Sequence, residues 1–311
     1  MYATAAMHVR ERATGCAVPA LVFVACAFAG LLVAAPVAAQ HLIVVSTGNS
    51  PAEARAIDGM RNHDGWTVDA QRIGADDATL ASTLSRASRG TEVVALGARA
   101  AQFVSQLPVS APTVDCMVQG DPRFASAAPV VPLAIPIDVQ IKWMKQLIPA
   151  VRKVALIYDP AQNERTAAEM TQRLAAAGYT VMAEQVASPQ ALPQALAKLA
   201  SADALLALPD TTVYSPELAK GLLLFTYRTD TPMIAFSDAW VRAGALYSLE
   251  WDYAEMGVYC GELALHLASA DRNASPPALP VPQVSVNRRA AAQLRLKWDA
   301  ASLAGVDHIH E

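Results

Sequence analysis

The chain has 311 residues, is 53% hydrophobic and carries 24 Lys and Arg against 28 Asp and Glu, enough for two domains with sizeable cores. Its net charge of −4 and the lack of any basic cluster argue against nucleic acid as a partner, because phosphate binding draws on grouped Lys and Arg.

The N-terminus reads as a targeting segment. Arg10 and Arg12 form a basic region, residues 17–35 are nearly all apolar, and Val37-Ala38-Ala39 places small residues before Gln40. This pattern predicts a secretory signal peptide over 1–39, cleaved after Ala39, and hence a periplasmic location. The alternative is an uncleaved anchor, since the apolar run is just long enough to span a bilayer. The small-residue site and the β-run directly after it favour cleavage. Cys16 and Cys26 leave with the signal, so Cys116 and Cys260 remain. An oxidising compartment would let them pair. Their wide separation, on a strand end and a helix, favours two buried small apolar side chains instead.

From Gln40 the elements alternate. Residues 41–46 (HLIVVS) form a β-run that stops at Thr47-Gly48-Asn49-Ser50-Pro51, where Ser50 caps and Pro51 starts a helix carrying Ala54, Ile57 and Met60. Gly65 ends that helix and residues 66–73 are the next strand. Asp76-Asp77 opens a second helix, residues 92–96 are strand three, and Gly97-Ala98-Arg99 leads into a third helix. Pro112 precedes strand four, 113–118. Strand then helix, repeated, is the mark of parallel βαβ units.

The order then recurs. Residues 154–158 are a strand ending in Asp159-Pro160, 165–177 a helix, 179–185 a strand, and 188–199 a helix shortened by Pro193. Residues 204–208 and 233–236 complete the set, with a helix from Ser215-Pro216 between them. Gly65-Trp66-Thr67-Val68 corresponds to Gly178-Tyr179-Thr180-Val181, and Pro112 to Pro232. Around these repeats lie an extended stretch at 129–136, a helix from Asp138, a strand at 245–249, a long helix at 252–268, and a Pro-rich passage leading to Val286-Asn287. The expected fold class is α/β, with two Rossmann-like lobes, and the chain crosses between them near 133–136, 247–251 and 280–286. That makes a three-segment hinge suited to closure on a ligand. The expected division is 40–136 with 248–279 in lobe one, and 137–247 with 280–311 in lobe two.

Polar residues directly after the carboxyl ends of parallel strands line the crevice where such sheets bind ligands. In lobe two these are Asp210-Thr211-Thr212 and Ser237-Asp238; in lobe one they are Thr47–Ser50, Gly97–Arg99 and residues 115–117. No G-x-S-x-G elbow, Walker A motif, H-E-x-x-H or G-x-G-x-x-G after the first strand is present, which lowers the expectation of an enzyme. His308 and His310 are expected on a frayed tail rather than at a metal, and no cofactor is expected.

The residues at 154–158, Asp210-Thr211-Thr212-Val213, Pro232, Gly244-Ala245-Leu246, Gly257, Val286-Asn287, Ala290, Ala291 and Leu294, with Asp121-Pro122 in the first lobe, carry a family resemblance. The chain resembles the periplasmic substrate-binding proteins of ABC transporters, in the family that includes tryptophan- and tyrosine-binding members. The resemblance implies a type I periplasmic-binding-protein architecture, a monomer, a small-molecule ligand held without catalysis, and an ABC permease in the inner membrane as partner. A periplasmic sensor subunit and a secreted α/β enzyme are the alternatives. One departure stands out: a Gly-Asn-Val-Thr-Gly-like segment typical of the family is replaced by Ala128-Pro129-Val130-Val131-Pro132.

On that reading the ligand contacts are Thr47, Asn49, Ser50, Gly97, Arg99 and Asp115 from lobe one, and Asp210, Thr211, Thr212, Ser237, Asp238 and Trp240 from lobe two. Helix N-termini and hydroxyls suit a ligand carboxylate. Asp210 or Asp238 suits an ammonium group, and Trp240, Trp251 or Tyr214 an aromatic body. The competing role for the polar residues is capping of their own backbone. Trp251, Glu250 and Asp252 at a crossing also fit hinge packing and lobe-to-lobe hydrogen bonds. If Asp210 and Asp238 are ligand contacts, alanine at either weakens binding without loss of stability.

Overall fold

A computed structural model describes residues 40–311 except 89, 121–125 and 270–272. The segment expected to be a signal peptide, with Cys16 and Cys26, and Asp121-Pro122 lie outside the described residues.

The first lobe runs β1 (Gln40–Ser46), α1 (Pro51–Arg61), β2 (Trp66–Arg72), α2 (Asp77–Arg86), β3 (Thr91–Leu96), α3 (Gly97–Ser105), β4 (Thr113–Val118) and β5 (Val130–Pro132). Its sheet is parallel throughout, in the order β2-β1-β3-β4-β5. The central strands are apolar at nearly every position because helices cover both faces. Leu42, Val44, Val94 and Cys116 join one core cluster, while Ile43, Val45, Val93 and Ala95 join another with Leu80, Leu84 and Val104 of α2 and α3.

The second lobe begins with α4 (Ile137–Leu147) and continues through β6 (Lys153–Tyr158), α5 (Pro160–Ala176), β7 (Thr180–Gln185), a short 3-10 turn at Pro189–Ala191 and α6 (Leu192–Lys198). It goes on through β8 (Ala204–Ala207), α7 (Pro216–Arg228), β9 (Met233–Ala235), α8 (Asp238–Ala243) and β10 (Tyr247–Glu250). After α9 (Tyr253–Ala268), β11 (Gln283–Asn287), α10 (Arg288–Gln293) and β12 (His308–His310) complete the chain. The strand order is β12-β11-β10-β9-β8-β6-β7, with β11 antiparallel to β10. The segment β7-β6-β8-β9-β10 repeats the first sheet strand for strand. The paired glycines before β2 and β7, Gly65 and Gly178, both take positive φ.

Two local readings are corrected and one element is added. α5 gains a first turn from Pro160, which Asp159 caps by accepting from the Ala161 amide at 2.8 Å, and after a break at Asn163 it continues through the helix expected from 165. α8, a six-residue helix after Ser237, had no periodic signal long enough to predict. The C-terminal tail is not frayed: His308–His310 pairs in parallel with Ser285–Asn287.

The chain passes between the sheets three times, from β5 to α4, from β10 to α9 and from α9 to β11. α9 packs on α1, β3 and β4 of the first lobe. Gly257 makes this possible, since a Cβ there would lie 2.1 Å from the Ala56 carbonyl oxygen. The helices therefore meet backbone to backbone. That approach carries Cys260 over β4, where it forms a disulfide with Cys116, the Cα atoms 6.1 Å apart. The preference for two unpaired, buried cysteines is overturned: tertiary packing brings together what sequence distance hid.

Candidate ligand-binding cleft

A cleft of about 310 Å³ opens at the carboxyl ends of β8, β9 and β10, where the first two crossings run. Its volume lies at the lower end of the roughly 300–1,000 Å³ usual for small-molecule sites. Leu133, Ile135, Leu208, Leu249 and Trp251 make its apolar walls, and Tyr214, Phe236 and Tyr253 add aromatic faces. Tyr214, Phe236 and Trp240 pack edge to face, with ring centroids 5.7–6.0 Å apart. Trp240 itself stands behind this group and does not line the cleft. Burial, reinforced by the Asp210 charge for Tyr214 and by Glu250 for Tyr253, raises both phenols well above the usual tyrosine range and keeps them neutral.

Asp210 and Thr211 line the cleft, yet their polar atoms are largely engaged within the lobe. Asp210 is 3% exposed. Its carboxylate accepts from the Asp159 amide (2.7 Å), the Asn163 side chain (3.0 Å) and the Thr212 and Val213 amides (both 2.9 Å). Gln162 completes the tie. Its carbonyl oxygen accepts from the Thr211 amide and hydroxyl, and its Nε2 donates to Asp159 and Thr212. The Thr212 hydroxyl donates to Asp159 at 2.7 Å. This network joins the β6–α5 and β8–α7 loops, and it pulls Asn163 out of helical geometry, to φ −134. Gln162 and Asn163 were not legible as partners of Asp210 from the sequence.

Ser237 lines the cleft at the start of α8, while Asp238 turns away from it. Asp238 meets His310 Nε2 at 2.6 Å and Arg242 at 2.7 Å. Burial works against its charge, but hydrogen bonds from Ser285 and His310 and the Arg242 charge outweigh that and hold its carboxyl below the usual carboxylate range. The Asp238 amide donates to Glu250 at 2.8 Å, and the Tyr253 hydroxyl donates to Glu250 at 3.2 Å. Glu250 thereby faces the cleft from the second crossing. The crossings are tied to one another: Trp251 Nε1 donates to the Leu133 carbonyl at 2.9 Å, and Gln283 donates to Asp252 at 3.4 Å. The lobes also meet where Gly120, at φ +67, approaches α5, since a Cβ there would lie 2.5 Å from the Gln162 carbonyl oxygen.

In lobe one, Glu53 dominates the end of β1. Its buried carboxylate accepts from the Thr47 amide and hydroxyl and the Gly48 amide, at 2.9–3.1 Å. Gly97 leaves room for it, a Cβ there lying 3.4 Å from Glu53 Oε1. Asn49 accepts from Arg72 at 2.6 Å, and Ser50 caps α1 through the Ala52 amide. Arg99 is exposed on the first turn of α3. None of Thr47, Asn49, Ser50, Gly97 and Arg99 lines the cleft as it stands. The sequence did carry a sign of Glu53: Ser50-Pro51-Ala52-Glu53 has the S-x-x-E spacing of a capping box.

Asp115 lies elsewhere, on a separate pocket between the end of α3 and residues 126–129. It is 1% exposed, Oδ2 has no hydrogen-bond partner, and burial raises its pKa against a Ser126 hydrogen bond. A buried acid with a raised pKa binds more protons folded than unfolded, so its contribution to stability falls as pH rises past the unfolded value of about 4. Asp115→Asn should remove that cost. The gap between its unfolding midpoint and the wild type's is expected to move in the variant's favour from pH 4 to pH 7.5, as read by thermal melts in both buffers.

A family profile described as ABC transporter substrate binding protein matches residues 130–304. The chain belongs to the ABC transporter substrate-binding protein family. No curated protein matches it. Solved structures do. An ABC domain in complex with L-Trp from Streptococcus pneumonia is 17% identical at a TM-score of 0.59. The ligand-free, open structure of CD0873, a substrate binding protein with adhesive properties from Clostridium difficile, is 15% identical at 0.61. A conserved domain protein from Vibrio cholerae is 19% identical at 0.57. Each alignment covers 87% of this chain and 99% of the other. At such identities they establish the two-lobed fold. Membership implies a small-molecule ligand and a transporter partner, and members bind solutes rather than transform them. Among the described residues no helix is long and apolar enough to cross a membrane.

Proposed function

We propose that this family member is the periplasmic solute-binding component of an ABC importer. It takes a small organic solute with an apolar or aromatic body into the interlobe cleft, closes by bending at the three crossings, and performs no catalysis. The observation that carries this reading is the position of the cleft, on the segments that join the lobes, with the Trp251–Leu133 hydrogen bond linking two of them. A solute bound there touches the hinge, so its binding free energy differs between open and closed forms, which is what drives closure. The L-Trp bound to the Streptococcus pneumonia protein and the open, ligand-free CD0873 structure support an aromatic solute and an opening motion.

Thr211, Ser237, Tyr214 and Trp251 are the proposed contacts in the cleft as it stands, and closure brings Thr47–Ser50 and Gly97–Arg99 toward the same solute. The proposed division into lobes falls near residues 136, 250 and 280, and the protein works as a monomer handing its solute to a permease.

Thermal shift over a panel of aromatic and aliphatic solutes, followed by small-angle scattering, tests this. A true ligand at 100 times its Kd should add about 2.7 kcal/mol to stability and shrink the radius of gyration. A stabilising solute that leaves the radius unchanged defeats the hinge, and one that is consumed defeats the non-enzymatic reading.

A further inference from the structure

The charge of the solute follows from how the cleft's own polar groups are used, an inference that rests on the interlobe reading above. A ligand carboxylate needs free N–H donors or a cation, and many of the backbone amides at the strand ends are already committed. The Thr47 and Gly48 amides serve Glu53, those of Asp159, Thr212 and Val213 serve Asp210, and that of Asp238 serves Glu250. At the start of α9 the Ala254 and Glu255 amides serve Asp252. Among the described residues no Lys, Arg or His lines the cleft as it stands, whereas Asp210 and Glu250 do, and the one cation among the proposed closing contacts, Arg99, is outnumbered by these two acids. Bringing an anion into such surroundings strips its water with few donors to replace it and sets it against like charge.

The two acids differ in what they have left to offer. Asp210 is nearly fully buried and its oxygens are taken by backbone and side-chain donors. Glu250 is partly exposed and accepts from Asp238 and Tyr253, one donor on each oxygen. A carboxylate has about four lone-pair sites, so Glu250 keeps acceptor capacity toward the cleft. These same two bonds fix its position. Tyr214, Phe236, Trp251 and Tyr253 surround the space, and aromatic faces favour a cation held over them.

We propose that the cleft selects an organic cation, an amine or related group on an apolar or aromatic body, with Glu250 as its counter-ion, and that it rejects the matched carboxylate. Calorimetric titration of the purified protein with two matched series tests this: phenethylamine, phenylalanine and 3-phenylpropionate, and tryptamine, tryptophan and indole-3-propionate. The amine should bind at least tenfold tighter than the acid of the same series. Glu250→Gln should cut amine affinity about tenfold and leave acid affinity equal or higher, with the ligand-free unfolding midpoint confirming that the variant is folded. If an acid binds as tightly as its amine, the charge assignment is overturned while the cleft reading stands. If Glu250→Gln leaves amine affinity unchanged, Glu250 is not the counter-ion. If no member of either series binds at millimolar concentration, the reading of the cleft as a site for aromatic solutes fails as well.

Discussion

Replacing Asp210 by alanine should cost about 3–5 kcal/mol of stability, since it leaves several buried donors around one vacated carboxylate without a partner. Those donors are the Asp159, Thr212 and Val213 amides and the Asn163 side chain, all within 3.0 Å. For a protein of this size that is an expected fall in the unfolding midpoint of roughly 10 °C. This reverses the expectation drawn from sequence, in which alanine at this position weakens binding but spares stability. Asp210→Asn separates the roles. It keeps one acceptor oxygen for Thr212 and Val213 but presents an NH₂ group to the Asp159 amide, so about half the loss should remain. A variant that melts with the wild type would show that water replaces the carboxylate, and that the network is not what holds the two loops together.

The difference between sequence and structure at Asp210 marks what kind of information each residue pattern carries. Alternating strands and helices, the strand-end position of Asp210 and Ser237 in the second lobe, and the shared order of the two halves follow from local periodicity and punctuation. The parallel strand orders bear this out. What local pattern does not contain is how polar groups at the ends of different strands divide among themselves. Gln162 and Thr211 lie 49 residues apart, and Asp159 and Asp210 51. Nothing in either neighbourhood says that they meet. Thr47 was legible as a residue at a strand end, but its use by Glu53 required noticing a capping-box spacing and then extending it past the cap to the preceding loop. Glu250 was legible only as a crossing residue. Its orientation toward the cleft depends on the amide of Asp238, at the start of a helix too short to announce itself.

The disulfide is the other long-range feature, and its removal should be felt across the first lobe. Cys116 and Cys260 close a loop with a sequence separation of 144. A cross-link of that span is worth about 5 kcal/mol on the chain-entropy account, and measured losses run roughly 2–5 kcal/mol. Both residues are fully buried, so reductant at room temperature should leave the folded protein intact. Heating in reductant should lower the midpoint by roughly 5–15 °C, to that of a Cys116→Ala, Cys260→Ala double variant measured without it. Thiol titration in denaturant checks the premise: no free thiol from this pair should react until reductant is added. Function should follow stability here, because α9 is the element that enters lobe one from the second crossing and leaves it for the third. With Gly257 pressed on Ala56 and Cys260 bonded to β4, α9 is fixed to the first sheet, and on the proposed hinge mechanism closure would be confined to the crossings. In the double variant α9 is held by packing alone. Ligand affinity should therefore fall at temperatures where the wild type still binds, an effect that titration calorimetry near the variant's midpoint would read directly. Equal affinities for the two proteins at that temperature would show that packing suffices and that the disulfide stabilises the lobe without guiding its motion.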